Sequence, residues 1–454
     1  MTSNQQPATS NSLSRYWLLL GVLALAIAGL FALVLVFART PELSSPLMDA
    51  LFHKALVVHV DLSVLVWFLS IACLMWSVST QGARQVFPFL EEAALICFAL
   101  GTLAITFSPL DPKGMALMSN YIPVITSPLF FLGLALLLCG VGVMLVRLFT
   151  ATQQSEQFTK PQHFGILSSA VIAFISIIAF AWSYHQMPHL SEAEQYFDLL
   201  FWGGGHVLQL LHVQIVMIVW LMLAKALRRE FWIYPPHLYA LFAIGLVASL
   251  STPWAYIHYH VDDMSQRLFF THVMILASGI APTILALWIA PGIITFRQWA
   301  RGDKRALYSA LCMSLILFIY GNVLGALIEG QNVVIPAHYH GSIVGVTLGF
   351  MGLAYLLLPQ FGYRDVMNWR LAFWQPIVYG GGQLLHISGL AVSGGYGVLR
   401  KTPGGLDAVP MSVKVAMGIM GIGGMIAIIG GFMFVIVIAK AVFNRAGVPS
   451  GRSA

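Results

Sequence analysis

The chain has 454 residues, of which 59% are hydrophobic and 9% are charged, and its formal net charge is +6. A soluble domain of this size could not bury so much apolar surface, so the composition excludes a water-soluble protein and predicts an integral membrane protein. The basic residues are spread over short segments between apolar runs, which excludes the continuous basic stripe of a nucleic-acid-binding protein.

Apolar runs recur along the whole chain, and each is long enough to cross a hydrocarbon core, which needs about 20 residues. They predict an all-α integral membrane protein, a twelve-helix bundle within residues 16–446. The polar ends, residues 1–15 and 447–454, are expected to be disordered tails. In chain order the predicted spans are 16–38, 55–78, 90–110, 122–148, 164–186, 199–228, 236–257, 267–296, 305–328, 336–359, 372–397 and 413–443.

The charges between the spans predict the orientation of the chain. Lys and Arg are concentrated in the loops that follow even-numbered helices, and such loops lie on the cytoplasmic side. We therefore expect both termini inside and a location in the bacterial cytoplasmic (inner) membrane, in contact with its lipids. The opposite loops carry most of the acids, namely Asp111, Glu192, Glu194, Asp198, Asp262, Asp263 and Glu329.

Cys73, Cys97, Cys139 and Cys312 each lie inside a predicted helix and are expected to be packing residues. The sequence has no Cys-x-x-Cys-His haem attachment site and no paired-cysteine copper site. Any centre that receives electrons from a soluble donor should therefore belong to a partner subunit.

The histidines give the strongest functional signal, because polar residues at membrane depth are costly and mark functional sites. Taken singly, each could be an interfacial histidine with a hydrogen bond. With the predicted topology, however, several share one depth on different helices, as a haem or metal site between helices requires. They are His59, His206, His258, His260, His338, His340 and His386.

Three motifs together resemble the haem-copper oxidase superfamily, the catalytic subunit shared by cytochrome c oxidases and nitric oxide reductases. They are His59 on helix 2, Trp202-Gly203-Gly204-Gly205-His206 on helix 6, and Ala337-His338-Tyr339-His340 on helix 10. Two histidines two positions apart point about 200° away from each other on a helix, so the last pair could hold two cofactors on opposite sides.

The resemblance implies two haems and their ligands. It assigns His59 and His340 to the two faces of a low-spin haem, and His338 to a high-spin haem. It also implies that Arg400 and Lys401 bind haem propionates. Because the chain has no motif for an electron-entry centre, we expect a partner subunit with a c-type haem or a binuclear copper site (CuA) that takes electrons from cytochrome c or a cupredoxin. Direct oxidation of quinol is the competing route.

Helix 7 leaves two alignments open. The family has adjacent histidines about fifty residues after the helix 6 histidine, whereas this chain reads Trp254-Ala255-Tyr256-Ile257-His258-Tyr259-His260. One alignment places Tyr256 and Ile257 at the ligand positions. We prefer a local shift in which His258 and His260 complete a three-histidine site with His206 for one copper or non-haem iron, and all-nitrogen ligation slightly favours copper.

Helix 6 departs from the oxidase pattern. In the oxidases a tyrosine four residues after the helix 6 histidine supplies an electron and a proton for breaking the O–O bond, whereas this chain has His206-Val207-Leu208-Gln209-Leu210. We expect Gln209 to occupy the space of that tyrosine as a neutral hydrogen-bonding group. A pumping oxidase of that family would hold a glutamate in helix 6 and a lysine in helix 8. This chain has no acid between Trp202 and Ala226 and no lysine between Leu268 and Trp288, so proton pumping is not expected.

The resulting prediction is a non-pumping nitric oxide reductase that converts two NO to N2O and water, with protons arriving past Glu329, Asp262 or Asp263. One alternative is a terminal oxygen reductase that uses Tyr256 or Tyr259 as its phenol. The other is a membrane haem protein without the third metal, which serves in electron transfer or gas sensing.

Overall fold

A computed structural model of the chain describes residues 10–39, 46–83, 85–151, 155–189, 192–227, 233–295, 302–330, 332–396 and 410–444. The α-helices are α1 (Ser10–Arg39), α2 (Pro46–Val60), α3 (Trp67–Ser79), α4 (Leu90–Phe107), α5 (Pro128–Thr150), α6 (Lys160–His185), α7 (Ala193–Ala226), α8 (Pro235–Leu250), α9 (Thr252–His258), α10 (Met264–Val273), α11 (Ala281–Thr295), α12 (Arg305–Ala326), α13 (Val334–Leu357), α14 (Arg370–Gly395) and α15 (Met411–Phe443). The structure divides into two compact units, residues 1–218 with 232–285 and residues 219–231 with 286–454.

Several of these helices run on into one another. The π-helical segments Asp61–Val66 and Met274–Ile280 join α2 to α3 and α10 to α11, and α9 follows α8 after a single residue. The described residues therefore contain twelve long helical segments, of which eleven are long and apolar enough to cross a membrane. The predicted all-α membrane fold is confirmed.

The remaining long helix, α14, has a more polar sequence. One of its polar side chains makes hydrogen bonds within the second unit. Gln375 is buried, accepts a hydrogen bond from the Tyr355 hydroxyl at 2.8 Å, and donates to the Gly430 carbonyl at 3.2 Å. A buried amide that finds partners on neighbouring helices is tolerated at this depth.

Four predicted helix starts differ from the structure by six residues or more. The first, second and sixth helical segments begin at Ser10, Pro46 and Ala193, all earlier than predicted. The fourth begins later, at Pro128, because the chain before it forms a short antiparallel hairpin of β1 (Ala116–Leu117) and β2 (Val124–Ile125). This hairpin brings residues 118–123 into a loop that carries part of the site described below.

The first unit is held by close helix contacts and by a buried ion pair. A Cβ atom added to Gly101 of α4 would lie 2.8 Å from the Gly133 carbonyl oxygen of α5, so the two backbones touch. At one end of the same helix pair, the Arg147 guanidinium lies 2.6 Å from the Glu91 carboxylate.

The second unit is built on two close helix pairs. In α12 and α13, Gly321 packs against the backbone of Gly341, and in α14 and α15 a Cβ atom added to Gly382 would lie 2.8 Å from the Gly423 carbonyl oxygen. The end of α7 belongs to this unit, where the Trp220 indole donates to the Ser314 hydroxyl at 2.8 Å.

Candidate functional site

Three consecutive glycines on α7 allow aromatic rings to reach the helix backbone just before His206. A Cβ atom on Gly204 would meet the ring of Phe180, and one on Gly205 would meet the ring of Tyr121. On Gly203 it would meet the hydroxyl of Tyr256 and the ring of Phe270, contributed by α9 and α10. The glycines therefore allow aromatic rings to surround one turn of α7. We call the rings of Tyr121, Phe180, Tyr256 and Phe270 the aromatic collar.

His206 lies inside this collar and is 2% exposed. Its Nδ1–H donates to the Trp202 carbonyl at 2.8 Å, and its ring centroid lies 4.7 Å from the centroids of both Trp202 and Tyr121 and 6.0 Å from that of Phe270. Because a neutral imidazole carries one proton, this hydrogen bond leaves the lone pair on Nε2.

Tyr121 is a site residue that sequence reasoning missed. It lies in the loop between β1 and β2, and the adjacent Asn120 N–H donates to the Asp198 carboxylate of α7 at 2.7 Å. Burial raises the pKa of the Tyr121 phenol, which therefore stays protonated at physiological pH. No periodic pattern marks this loop, so only the fold shows the contact with His206.

The predicted three-histidine metal site is not assembled. His258 and His260 are exposed, whereas His206 is buried. The His258 Nδ1–H donates to the Trp254 carbonyl at 2.8 Å, and the His260 ring donates to Asp262 at 2.5 Å, a hydrogen bond that lowers the pKa of Asp262.

Both histidines lie at the end of α9. The helix stops at His258 and continues into an extended residue, Tyr259. In the described part of the chain, no group of three or more His, Cys, Asp or Glu side chains is arranged to hold a metal ion. The assignment of His258 and His260 as metal ligands with His206 gains no support from this arrangement and stays a prediction.

The other predicted residues of α7 and α9 occupy different environments. Tyr256 is 2% exposed, its hydroxyl lies 2.6 Å from the Ser183 hydroxyl, and its ring stacks on Trp182 at 5.4 Å. Tyr259 is half-buried with its ring edge towards Trp254. Gln209 is half-buried on α7, one turn after His206.

His59 lies in the last turn of α2, directly before a π-helical segment, a feature that is frequent at functional sites. Its Nδ1–H donates to the Ala28 carbonyl of α1 at 2.8 Å. Two residues later, Asp61 is buried, and neither of its carboxylate oxygens has a hydrogen-bond partner among the described residues.

His338 and His340, which the sequence predicts to lie on helix 10, are found on α13 in the second unit. His338 donates from Nδ1 to the Gly321 carbonyl of α12 at 2.7 Å, and Gly325 leaves room for the ring, since a Cβ atom there would lie 2.6 Å from Nδ1. His340 bonds from Nδ1 to the Pro336 carbonyl at 2.8 Å, and its ring centroid lies 5.4 Å from that of His386.

One arrangement is common to His59, His206, His338 and His340: each Nδ1 is held by a main-chain carbonyl. This hydrogen bond fixes the ring orientation and the tautomer in which Nε2 can bind a metal, as in many haem and metal ligands. The donor set therefore fits haem ligation. The predicted propionate partners Arg400 and Lys401 lie outside the described residues.

Two relatives are similar to most of the chain. A protein of Rickettsia prowazekii (strain Madrid E), named Uncharacterized protein RP382, is 32% identical over 97% of this chain and 98% of its own length. An uncharacterized protein of Aquifex aeolicus (strain VF5) is 30% identical over 78% of this chain and 86% of its own length.

A solved structure described as a heme-copper terminal oxidase dimer shares the fold, with a TM-score of 0.74 and 17% identity over 97% of this chain and 85% of that one. The sequence also matches the family Cytochrome C and Quinol oxidase polypeptide I over residues 12–439. The chain is thus a multi-pass membrane protein that belongs to the cytochrome c and quinol oxidase polypeptide I family of the haem-copper oxidase superfamily.

Proposed function

We propose that the chain is a nitric oxide reductase of the bacterial cytoplasmic membrane, with both termini inside. Two NO, two electrons and two protons give one N2O and one water. The observation that carries the choice of NO over O2 is the turn after His206, where the chain presents Gln209 and the buried Leu210 instead of a phenol.

Three histidines are assigned to haem iron. His59 and His340 bind low-spin haem, and His338 binds high-spin haem. The bound haems supply one-electron transfer and a site for a diatomic gas. The chain's own contribution is to fix each ring: the carbonyl at Nδ1 sets the tautomer in which Nε2 would be able to bind iron.

The ligand set predicted for a third metal does not form one group among the described residues, since His258 and His260 are exposed and His206 is buried. We therefore assign no step to copper or non-haem iron on these residues. His206 is a single buried imidazole beside two aromatic rings, and it can orient a polar substrate through Nε2.

The other tyrosines near α7 are poorly arranged to supply the electron that O2 reduction needs. Oxidation of a phenol requires an acceptor for its proton. The Tyr121 hydroxyl makes no hydrogen bond in the described structure, and the hydroxyl of Tyr256 lies against that of Ser183, a neutral group. Reduction of NO has no such requirement, which supports NO as the substrate.

We also propose a partner subunit that carries a c-type haem or CuA and receives electrons from cytochrome c or a cupredoxin. The chain itself has four cysteines, each inside a helix, and no motif for either centre.

A second candidate is a two-haem protein for electron transfer or gas sensing. It is favoured by the separation of His258 and His260 from His206, because NO reduction brings two NO molecules together and a second metal is the simplest way to hold both.

Paired NO-electrode and O2-electrode assays on one reduced preparation, with haem and metal content measured, test the proposal. We expect NO consumption well above O2 consumption, with no proton release to the outside of vesicles. Faster O2 turnover that is abolished by Tyr121→Phe or Tyr256→Phe would establish an oxygen reductase, and turnover with neither gas would favour the second candidate.

A further inference from the structure

Two of the four cysteines lie side by side on neighbouring membrane-spanning helices. Cys97 lies in the middle of α4 and Cys139 in the middle of α5, and a side-chain hydrogen bond links the two thiols. Neither helix carries another cysteine. The sequence predicts only packing residues at these positions, because the two cysteines are far apart along the chain, and the contact appears only in the fold.

The packing of α4 on α5 holds the two thiols together. The helices run antiparallel, since Gly101 approaches Gly133, whereas the earlier Phe98 approaches Gly140, which comes later in α5. A Cβ atom added to Gly140 would lie 3.1 Å from the Cβ of Phe98, less than the about 3.8 Å between the Cβ atoms of a typical disulfide. The cysteines directly precede Phe98 and Gly140, so they lie where the two backbones are close enough for an S–S bond.

The pair lies at the surface of these helices and at membrane depth. Cys139 is exposed and Cys97 is half-buried. The exposed side chains next to them are apolar, since Ile96, Leu100 and Leu138 are 52%, 51% and 46% exposed. Both helices are long and apolar enough to cross a membrane. Hydrocarbon disfavours a charged thiolate and excludes polar, water-soluble thiols, so a reagent that reaches this pair must dissolve in the membrane.

We propose that Cys97 and Cys139 are a redox-active dithiol, which a membrane quinone oxidises to a disulfide between α4 and α5. Two S–H bonds break and one S–S bond forms, and the two electrons and two protons released reduce the quinone to quinol. Both reactants and both products are uncharged, so the reaction leaves no charge in the hydrocarbon. The inference concerns residues outside the histidine sites and does not rest on the proposed function.

A bound metal explains the pair less well. Soft metal ions bind cysteines as thiolates, which carry negative charge, and a structural zinc site needs four ligands. In the described part of the chain, no third His, Cys, Asp or Glu joins the two cysteines in a group that could hold a metal ion. A neutral disulfide therefore suits this depth better than a metal thiolate does.

Treatment of the purified holoprotein with a quinone in lipid vesicles tests the proposal. The protein is first reduced with a phosphine and freed of the reductant, and a short-chain ubiquinone is then added without oxygen. Quinol is measured by its ultraviolet absorbance. Because the haems can also give electrons to the quinone, the yield is compared with that of Cys97→Ser. We expect the wild-type protein to form one more quinol per chain than this variant.

Peptide mapping locates the new bond. The treated protein is denatured, its remaining thiols are alkylated, and it is digested with trypsin. Cys97 is then the only cysteine of the peptide 85–113. Cys139 is the only cysteine of the peptide 114–147. We expect the two peptides to be joined after quinone treatment, to separate on reduction, and to remain apart in Cys97→Ser and in Cys139→Ser.

The matched control is Cys312→Ser, because the Cys312 side chain bonds to Tyr308 and not to a thiol, and this variant should form the linked peptide and the quinol as the wild type does. Separate, alkylated peptides after quinone treatment, or equal quinol yields from the wild type and Cys97→Ser, would overturn the proposal. Copper(I) or zinc that purifies with the wild type but not with Cys97→Ser, and that blocks the reaction with quinone, would show a metal site in its place. Should Cys97→Ser fail to fold, Cys139→Ser decides both measurements.

Discussion

The ion pair between Glu91 and Arg147 should be among the strongest single contributions to the stability of the first unit. Glu91 is 3% exposed in the first turn of α4, and Arg147 is 6% exposed in the last turn of α5. Both positions are favourable for the helix dipoles. The Ser77 hydroxyl donates to the free carboxylate oxygen of Glu91, and Arg147 donates to the Thr80 hydroxyl at 2.7 Å.

The cost of breaking this pair follows from its burial. Removing one partner of a buried ion pair leaves an unpaired charge out of water, which costs about 3–5 kcal/mol. We therefore expect a loss of about 3–5 kcal/mol in the free energy of unfolding for Glu91→Gln and for Arg147→Met separately. The double variant leaves no unpaired charge, so its loss should be close to that of one single variant instead of the sum.

Reversible unfolding in mixed detergent, followed by circular dichroism, measures these differences. Glu92→Gln is the matched control, because Glu92 is the exposed neighbour of Glu91, and we expect a change within about 0.5 kcal/mol. Additive losses in the double variant, or single variants no worse than the control, would show that the pair is not coupled and would refute the account of this cluster.

Three further predictions concern the haems, the collar and the electron donor. Replacing His59 or His340 by Ala should remove the low-spin haem signal from reduced-minus-oxidised spectra, and a normal signal in both variants would contradict their assignment. Gly205→Ala would place a Cβ atom 2.6 Å from the Cβ of Tyr121, so the loop must move by roughly 1 Å. We expect a cost of about 1–3 kcal/mol by thermal unfolding, whereas Gly142→Ala, whose Cβ meets nothing within 4 Å, should be neutral or stabilising. The chain purified without a partner subunit should not oxidise reduced cytochrome c or cupredoxin, and steady oxidation by the single chain would contradict the partner assignment.

The sequence predicts the membrane fold because long apolar runs recur along the whole chain. Each apolar run spans a bilayer by length alone, and a shift of a few residues at its ends does not change the count. The haem-ligand assignments to His59, His338 and His340 come from the family resemblance of their motifs, and they stay predictions. What the sequence does not show is the carbonyl that orients the rings of His59 and His338, since Ala28 and Gly321 belong to other helices.

The helix 7 assignment depends on local structure that the sequence does not determine. Whether His258 and His260 face α7 depends on where α9 ends and on the conformation of Tyr259, and boundaries are the least certain part of a sequence-based prediction. Tyr121 could not be found from the sequence because it lies in a loop. The position of that loop is fixed by the short β1–β2 hairpin and by a hydrogen bond from the Asn120 N–H to Asp198.

The central claim is that the haem-loaded protein reduces NO. Isotope-labelled NO added without oxygen to the reduced complex, with its haem content measured, tests it directly by mass spectrometry of the gas phase. The account predicts labelled N2O in a ratio of one to two NO consumed, at a rate above O2 consumption by the same preparation. Two haems per chain with no labelled N2O above a haem-free control would contradict it.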